Sequence, residues 1–270
     1  MSVHSESRRI TVATLARMRR EGEKIVSLTA YDAAFARLAD EAGIDVILVG
    51  DSLGMVVQGR ENTVGVTMDE MVYHTLLASR GRSRALLVAD LPFLSCADPM
   101  QALANSGRLM QEGGADMVKL EGGAAQAEVV ERLSVNGVPV CAHLGLRPQF
   151  VHKLGGYRVQ GREAEAAAAL LEDARALEEA GAELMVLECV PAALAEEITQ
   201  AAGIPVIGIG AGAACDGQVL VVHDVLGVTP GRPPRFARNF MTGHDSLSGA
   251  LKAYAEAVRE GSFPTAEEAF

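Results

Sequence analysis

The sequence has no tryptophan, and its aromatic residues amount to 4% of 270, so its core cannot be organised around large rings. Ala, Val, Leu and Ile must fill it, and they do so in a chain that is 49% hydrophobic, the palette of an α/β protein with a sizeable core. An excess of basic charge is also missing: 24 Lys and Arg face 35 Asp and Glu, a formal net charge of −11. A nucleic acid or an anionic membrane surface would need a basic face, so neither is expected as a partner, and a small molecule is. Cys96, Cys141, Cys189 and Cys215 show no C-x-x-C pairing, which argues against a disulfide framework or a zinc knuckle and leaves four free buried thiols. No run is long and apolar enough to span a bilayer, and Met1 to Arg20 carries no secretory apolar core, so a cytoplasmic location is expected. Arg17, Arg19 and Arg20 stand beside Val12, Leu15 and Met18, which recur at helical spacing; the arginines read as a solvated face.

What is present is a repeated unit in which a helical stretch ends at glycine and a short apolar run follows at once. It occurs in clear form from Gly43 to Asp51, Gly114 to Glu121, Gly137 to His143, Gly181 to Glu188 and Gly203 to Gly210. The glycine suits the left-handed position after a helix, and the apolar run suits a strand buried on both faces. Ile25 to Leu28, Ala85 to Ala89 and Val219 to Val222 bring the candidates to eight. Helix starts lie between them. Asp32 can cap one helix, Thr67 with Glu70 forms a capping box, Asp98 precedes Pro99, and Asp245 is expected to cap a final helix to about Arg259. Residues Glu163 to Ala180 read as an alanine-rich helix.

A doubly wound open sheet would alternate in the same way, but eight strands favour closure. The expected fold is therefore an α/β chain folded as a single-domain (β/α)8 TIM barrel over residues 1–270, with a short N-terminal helix and a C-terminal helical extension.

In either parallel architecture, function belongs at the carboxyl ends of the strands. Polar residues stand at these ends in succession: Asp51 and Ser52, Asp90, Lys119 and Glu121, His143, and Glu188. Singly, each has an ordinary reading as a turn former or cap. Together, Asp51 and Asp90 make a hard-oxygen pair suited to Mg²⁺, which takes one or two protein carboxylates. Lys119 and Glu121, two apart in a strand, face the same side, as an internal ion pair or as groups that meet an anionic substrate and a metal. Glu188 ends a very apolar strand, a setting that suits a general base, with a helix cap as its structural alternative. His143 beside an apolar strand reads first as a core or orienting residue. Gly208-Ile-Gly-Ala-Gly212 lacks both the dinucleotide spacing and a P-loop lysine, so it reads as a tight turn between strand and helix.

Seven segments occur in an order that resembles a known family. They are Val49-Gly-Asp-Ser-Leu-Gly-Met55, Ala89-Asp-Leu-Pro-Phe93, Met117-Val-Lys-Leu-Glu-Gly-Gly123, His143-Leu-Gly-Leu146, Gly155-Gly-Tyr-Arg-Val-Gln-Gly161, Leu187-Glu-Cys-Val-Pro191 and Ile207-Gly-Ile-Gly-Ala-Gly212. Over nearly the whole chain the sequence is similar to the ketopantoate hydroxymethyltransferases. The resemblance implies a Mg²⁺-dependent barrel in a homodecamer. The implied reaction moves a one-carbon unit from 5,10-methylenetetrahydrofolate to 3-methyl-2-oxobutanoate and gives 2-dehydropantoate, in pantothenate biosynthesis. It further implies Asp51 and Asp90 as metal ligands, Glu121 completing or supporting the metal site, Ser52 and Lys119 (with Asp51 and Asp90) on the keto acid, Glu188 as proton acceptor, and Tyr31 and His143 as lining residues. Val64-Gly65 and Ala213 depart from the pattern of many relatives at loop positions and leave the implied ligands untouched. The phosphoenolpyruvate mutase and isocitrate lyase group is one alternative, similar in barrel type, but its catalytic-loop cysteine motif is absent here; a non-catalytic barrel for binding or assembly is another, and it would have apolar residues at some of the strand ends where carboxylates stand.

Overall fold

A computed structural model describes residues 9–229 and 231–270. Eight parallel strands close on themselves in chain order: β1 (Ile25–Thr29), β2 (Val46–Val49), β3 (Leu86–Asp90), β4 (Met117–Glu121), β5 (Val140–Gly145), β6 (Leu184–Glu188), β7 (Val206–Ile209) and β8 (Gly217–Leu220). The seam pairs β1 with β8, Ile25 opposite Gly217 and Leu28 opposite Leu220. The helices are α1 (Val12–Glu21), α2 (Ala33–Glu41), α3 (Leu53–Val56), α4 (Met68–Gly81), α5 (Pro99–Gln111), α6 (Ala127–Val135), α7 (Val151–Leu154), α8 (Ala164–Glu179), α9 (Ala192–Ala201), α10 (Val222–Val225) and α11 (Leu247–Arg259). The expected closed barrel is what forms.

Local chemistry explains most boundaries. Asp32 accepts from the N–H groups of Ala34 and Phe35, Thr67 and Glu70 satisfy each other's backbone donors, and Asp98 accepts from Met100 and Gln101 behind Pro99. The last helix is capped by Ser246, whose hydroxyl accepts from Gly249, and not by Asp245 as the sequence suggested. Strand β5 runs two residues past His143, so that residue sits within the strand. No helix intervenes between β7 and β8; the glycine-rich run turns straight from one strand into the next, which corrects the expected strand-to-helix turn.

The amino-terminal end of the barrel is tied by a recurring device. Asp45, Asp116 and Asp216 each stand one residue before a strand and accept a backbone N–H from the preceding strand: from Val26 at 3.0 Å, Leu87 at 3.0 Å and Val206 at 2.9 Å. Each also meets an arginine, Arg84 with Asp45, Arg82 with Asp116 and Arg19 with Asp216. Arg19 is therefore no part of a solvated face. Its guanidinium also donates to the carbonyls of Thr199 and Ala202, while Arg17 and Arg20 remain exposed. Helix α11 closes the seam from outside: the buried Tyr254 hydroxyl lies 2.8 Å from the Ser27 carbonyl of β1 and 3.2 Å from the Gln218 carbonyl of β8. All four cysteines are free and buried.

Candidate active site

At the carboxyl ends of the strands lies a cavity of about 490 Å³, within the range of small-molecule sites. Asp51, Ser52, Asp90, Lys119, Glu121, His143 and Glu188 all line it. Register brings them together: Asp90 of β3 stands opposite Lys119 of β4, and Glu121 of β4 opposite His143 of β5. A parallel sheet closed into a barrel turns strand ends far apart in sequence into neighbours.

Asp51 follows β2 across Gly50. A Cβ on Gly50 would lie 2.8 Å from the Ser52 hydroxyl and 3.4 Å from Asp90 Oδ2, so only glycine lets the loop fold this tightly over the neighbouring strand. The Asp51 N–H then donates to Asp90 Oδ2 at 3.0 Å. Lys119 Nζ lies 2.8 Å from Asp90 Oδ1, an ion pair between adjacent strands; of the two readings of Lys119 and Glu121, the ion pair within β4 is not formed. Burial alone would lower the Lys119 pKa, but the carboxylates of Asp90, Glu121 and Asp51 outweigh this and hold the ammonium charged.

Asp51 shows the opposite response. Burial and the charges of Asp90 and Glu121 push its carboxyl well above the ordinary range, against the weaker pull of Lys119 and a hydrogen bond from Gln149. Three buried carboxylates around one ammonium leave negative charge that a divalent cation would neutralise, and carboxylate oxygens are the donors a hard cation takes. Among the described residues, no three His, Cys, Asp or Glu side chains converge as a cage for a metal ion. Glu121 is engaged elsewhere: its Oε2 accepts the Gln149 N–H at 3.0 Å, and its Oε1 lies 3.5 Å from His143 Nδ1. The chemistry of the donor set, two neighbouring buried aspartates with Glu121 engaged elsewhere, is of the kind a hard cation takes.

Glu188 ends β6, its side chain 14% exposed toward the cavity. Cys189 follows in the left-handed region at φ 48°, a conformation disfavoured outside glycine, and Gly145 at φ 86° makes room beside it: a Cβ there would lie 2.2 Å from the Glu188 carbonyl oxygen. His143 Nε2 is 3.2 Å from Glu188 Oε2, close but not aligned as a hydrogen bond, and Nδ1 is 3.3 Å from Lys119 Nζ. Burial and Lys119 pull the imidazole pKa down; Glu121 and Glu188 outweigh them and raise it. Tyr31 does not line the cavity directly; its hydroxyl meets the Ser52 hydroxyl at 2.9 Å.

One member of the cluster escaped the sequence reading. Gln149, in a 3-10 turn after β5, donates its side-chain amide to Asp51 Oδ2 at 2.8 Å and to the Leu91 carbonyl at 2.9 Å while its N–H holds Glu121. One residue fixes two of the three carboxylates.

The sequence profile described as ketopantoate hydroxymethyltransferase matches residues 9–266. A relative from Alkalilimnicola ehrlichii, named 3-methyl-2-oxobutanoate hydroxymethyltransferase, is 62% identical, the match covering 97% of this chain and 95% of that one. Another of the same name from Halorhodospira halophila is 58% identical over 99% and 97% of the two chains. Among solved structures, a phosphonopyruvate hydrolase superposes with a TM-score of 0.62 at 12% identity, covering 96% of this chain and 93% of that one. That likeness is one of fold.

Proposed function

The chain belongs to the ketopantoate hydroxymethyltransferase family, and from that premise we propose how its cavity divides the work of the transfer. The reaction is hydroxymethylation of 3-methyl-2-oxobutanoate, a step of pantothenate biosynthesis. The observation that carries the division is that Glu188 faces Asp51, Asp90 and Lys119 across one cavity, with His143 between.

In our reading Lys119 receives the substrate carboxylate, the Ser52 hydroxyl and backbone orient it, and Asp51 and Asp90 are the side chains that would hold Mg²⁺. When bound, the cation polarises the keto group and stabilises the negative charge that develops when the C3–H bond breaks. Glu188 accepts that proton at its carboxylate. His143 and Glu121, both buried against it or against each other, keep the base and the acidic cluster in position. The C3 carbon then forms a bond to the methylene carbon of 5,10-methylenetetrahydrofolate. The bonds from that carbon to N5 and N10 break, water supplies the hydroxyl oxygen, and tetrahydrofolate leaves with the proton taken from C3 and one from water on its two nitrogens. Family membership supports this donor, Mg²⁺ and homodecameric assembly; four free buried thiols suit a cytoplasmic location.

The purified protein is expected to exchange the C3 proton of 3-methyl-2-oxobutanoate in deuterium oxide with Mg²⁺ alone, and to form 2-dehydropantoate once the folate is added. Product without folate-dependent turnover, or no exchange at all, would sink the division of roles.

A further inference from the structure

The cavity has a second half that these roles leave unused. The acidic half is built from the ends of β2 to β6. The other wall comes almost entirely from the segment after β8, with Asp224, Thr229, Arg232, Arg235 and Phe236, closed by Phe270.

Two features of this wall ask for a ligand. The first is Asp224, 7% exposed. Its Oδ1 accepts the Thr229 hydroxyl at 2.6 Å, and among the described residues its other oxygen takes no hydrogen bond from the protein. Burial pushes this carboxyl above the ordinary range. That oxygen is not sealed inside the protein, and it stands open to a donor entering the cavity. The second is charge. In a chain with net charge −11, Arg232 and Arg235 line the cavity with no acidic side chain in ion-pair contact among the described residues, and Arg158, in the segment after β5, lines it as well. Arg235 is held by the Glu267 carbonyl at 2.8 Å and stacks 5.3 Å from the Phe270 ring. Phe236 and Phe270 add two aromatic rings to the same lining.

We propose that this wall is the seat of the one-carbon donor, with Asp224 pairing to the N–H edge of its pterin ring and Arg232 and Arg235 receiving the carboxylates of its glutamate tail. The chemistry of the two ends matches the molecule. A 2-amino-4-oxo-pyrimidine edge offers two parallel N–H donors to a carboxylate, guanidinium groups take carboxylates in the same forked geometry, and an aromatic linker suits Phe236 and Phe270. The ring then lies toward the acidic half, where the methylene carbon must reach the keto acid. This inference rests on the folate reading of the preceding section and adds which residues grip the donor.

The test is equilibrium binding by calorimetry, with tetrahydrofolate as monoglutamate and triglutamate and, separately, 3-methyl-2-oxobutanoate with Mg²⁺. The parent is expected to prefer the triglutamate. The exposed-residue variant Arg232→Ser with Arg235→Gln should lose that preference and bind tetrahydrofolate about tenfold more weakly, a loss in the range of a charge-assisted contact, while keto-acid affinity stays within about twofold. Asp224→Asn should weaken mono- and triglutamate forms alike. Because Asp224 is buried, its melting temperature is compared with the parent; if that variant does not fold, the arginine pair decides the matter alone. Unchanged tetrahydrofolate affinity in the folded arginine variant would overturn the assignment. A parent that binds keto acid but no tetrahydrofolate would instead sink the folate reading, and this inference with it.

Discussion

The two ends of the barrel carry the same residue type under similar burial and treat it in opposite ways. At the amino-terminal end, Asp45 is 3% exposed, and it is satisfied by the Val26 N–H, Arg84 and Arg259. At the mouth, Asp51 is also 3% exposed, yet its nearest charges include two more carboxylates. In the first arrangement the carboxylate joins strand to strand; in the second it is crowded by like charges at the mouth of the cavity. Burial therefore does not separate the paired acids of one end from the crowded acids of the other; the partner does.

The comparison can be broken at either end. The largest effect is expected from Glu188→Gln: loss of C3 proton exchange by about 10² to 10⁴-fold, the usual worth of a general base, with the melting temperature little changed. Exchange at the parental rate, followed by NMR, would remove Glu188 from the role of base. Asp45→Ala should do the reverse. It leaves Arg84 facing an empty place and is expected to cost about 3 kcal/mol in urea unfolding, with turnover per folded molecule unchanged. A neutral result would mean that the strand ties at the bottom of the barrel contribute little.

Asp51→Asn tests the mouth by stability. The parent should gain about 3 kcal/mol when Mg²⁺ is raised about a hundredfold above its dissociation constant, and the variant should gain none. In chelator the variant should be no less stable than the parent, since one member of a crowd of three carboxylates has lost its charge. A thermal-shift series with and without Mg²⁺ reads both outcomes.

The smallest effect concerns Asp40, another acid of the amino-terminal end. Burial would raise its pKa, but the Ser83 hydroxyl and the N–H groups of Ala85, Ser83 and Arg84 outweigh that and hold it below the ordinary 3.8. A carboxyl with a lowered folded-state pKa contributes stability that is full above the unfolded value and is lost as pH falls through the folded one. Asp40→Asn should therefore flatten the stability curve below about pH 4, with little change in its slope near neutrality. A parallel offset at all pH values would assign the effect to packing.

The acids of the mouth were legible because a strand end is a one-dimensional property. Asp51, Asp90 and Glu188 each follow an apolar run, and no knowledge of neighbours is needed to place them at the rim. The amino-terminal aspartates lie as close to the strands, but what they do depends on Arg84, Arg82 and Arg19, which no local pattern connects to them. Gln149 was hidden for the same reason: its bond to Asp51 joins residues 98 apart. The glycine-rich run forms the turn its composition indicates, but the helix that strict alternation would place after it is absent, because the chain passes directly from β7 to β8. Asp45, inside one of the repeated units, shows how a unit can be recognised while the job of its polar residue is not.

The Tyr254 contact has a consequence for how the molecule comes into being. Its hydroxyl bridges β1 and β8 from a helix that starts at Leu247, and Tyr254 lies 227 residues along the chain from Ser27. Contacts so distant in sequence demand the largest loop closure and form late in folding. During synthesis, therefore, β1 waits with one edge unpaired until β8 and then α11 have left the ribosome. The seam is where a nascent chain is most exposed to pairing with another chain and where a chaperone would have most to protect.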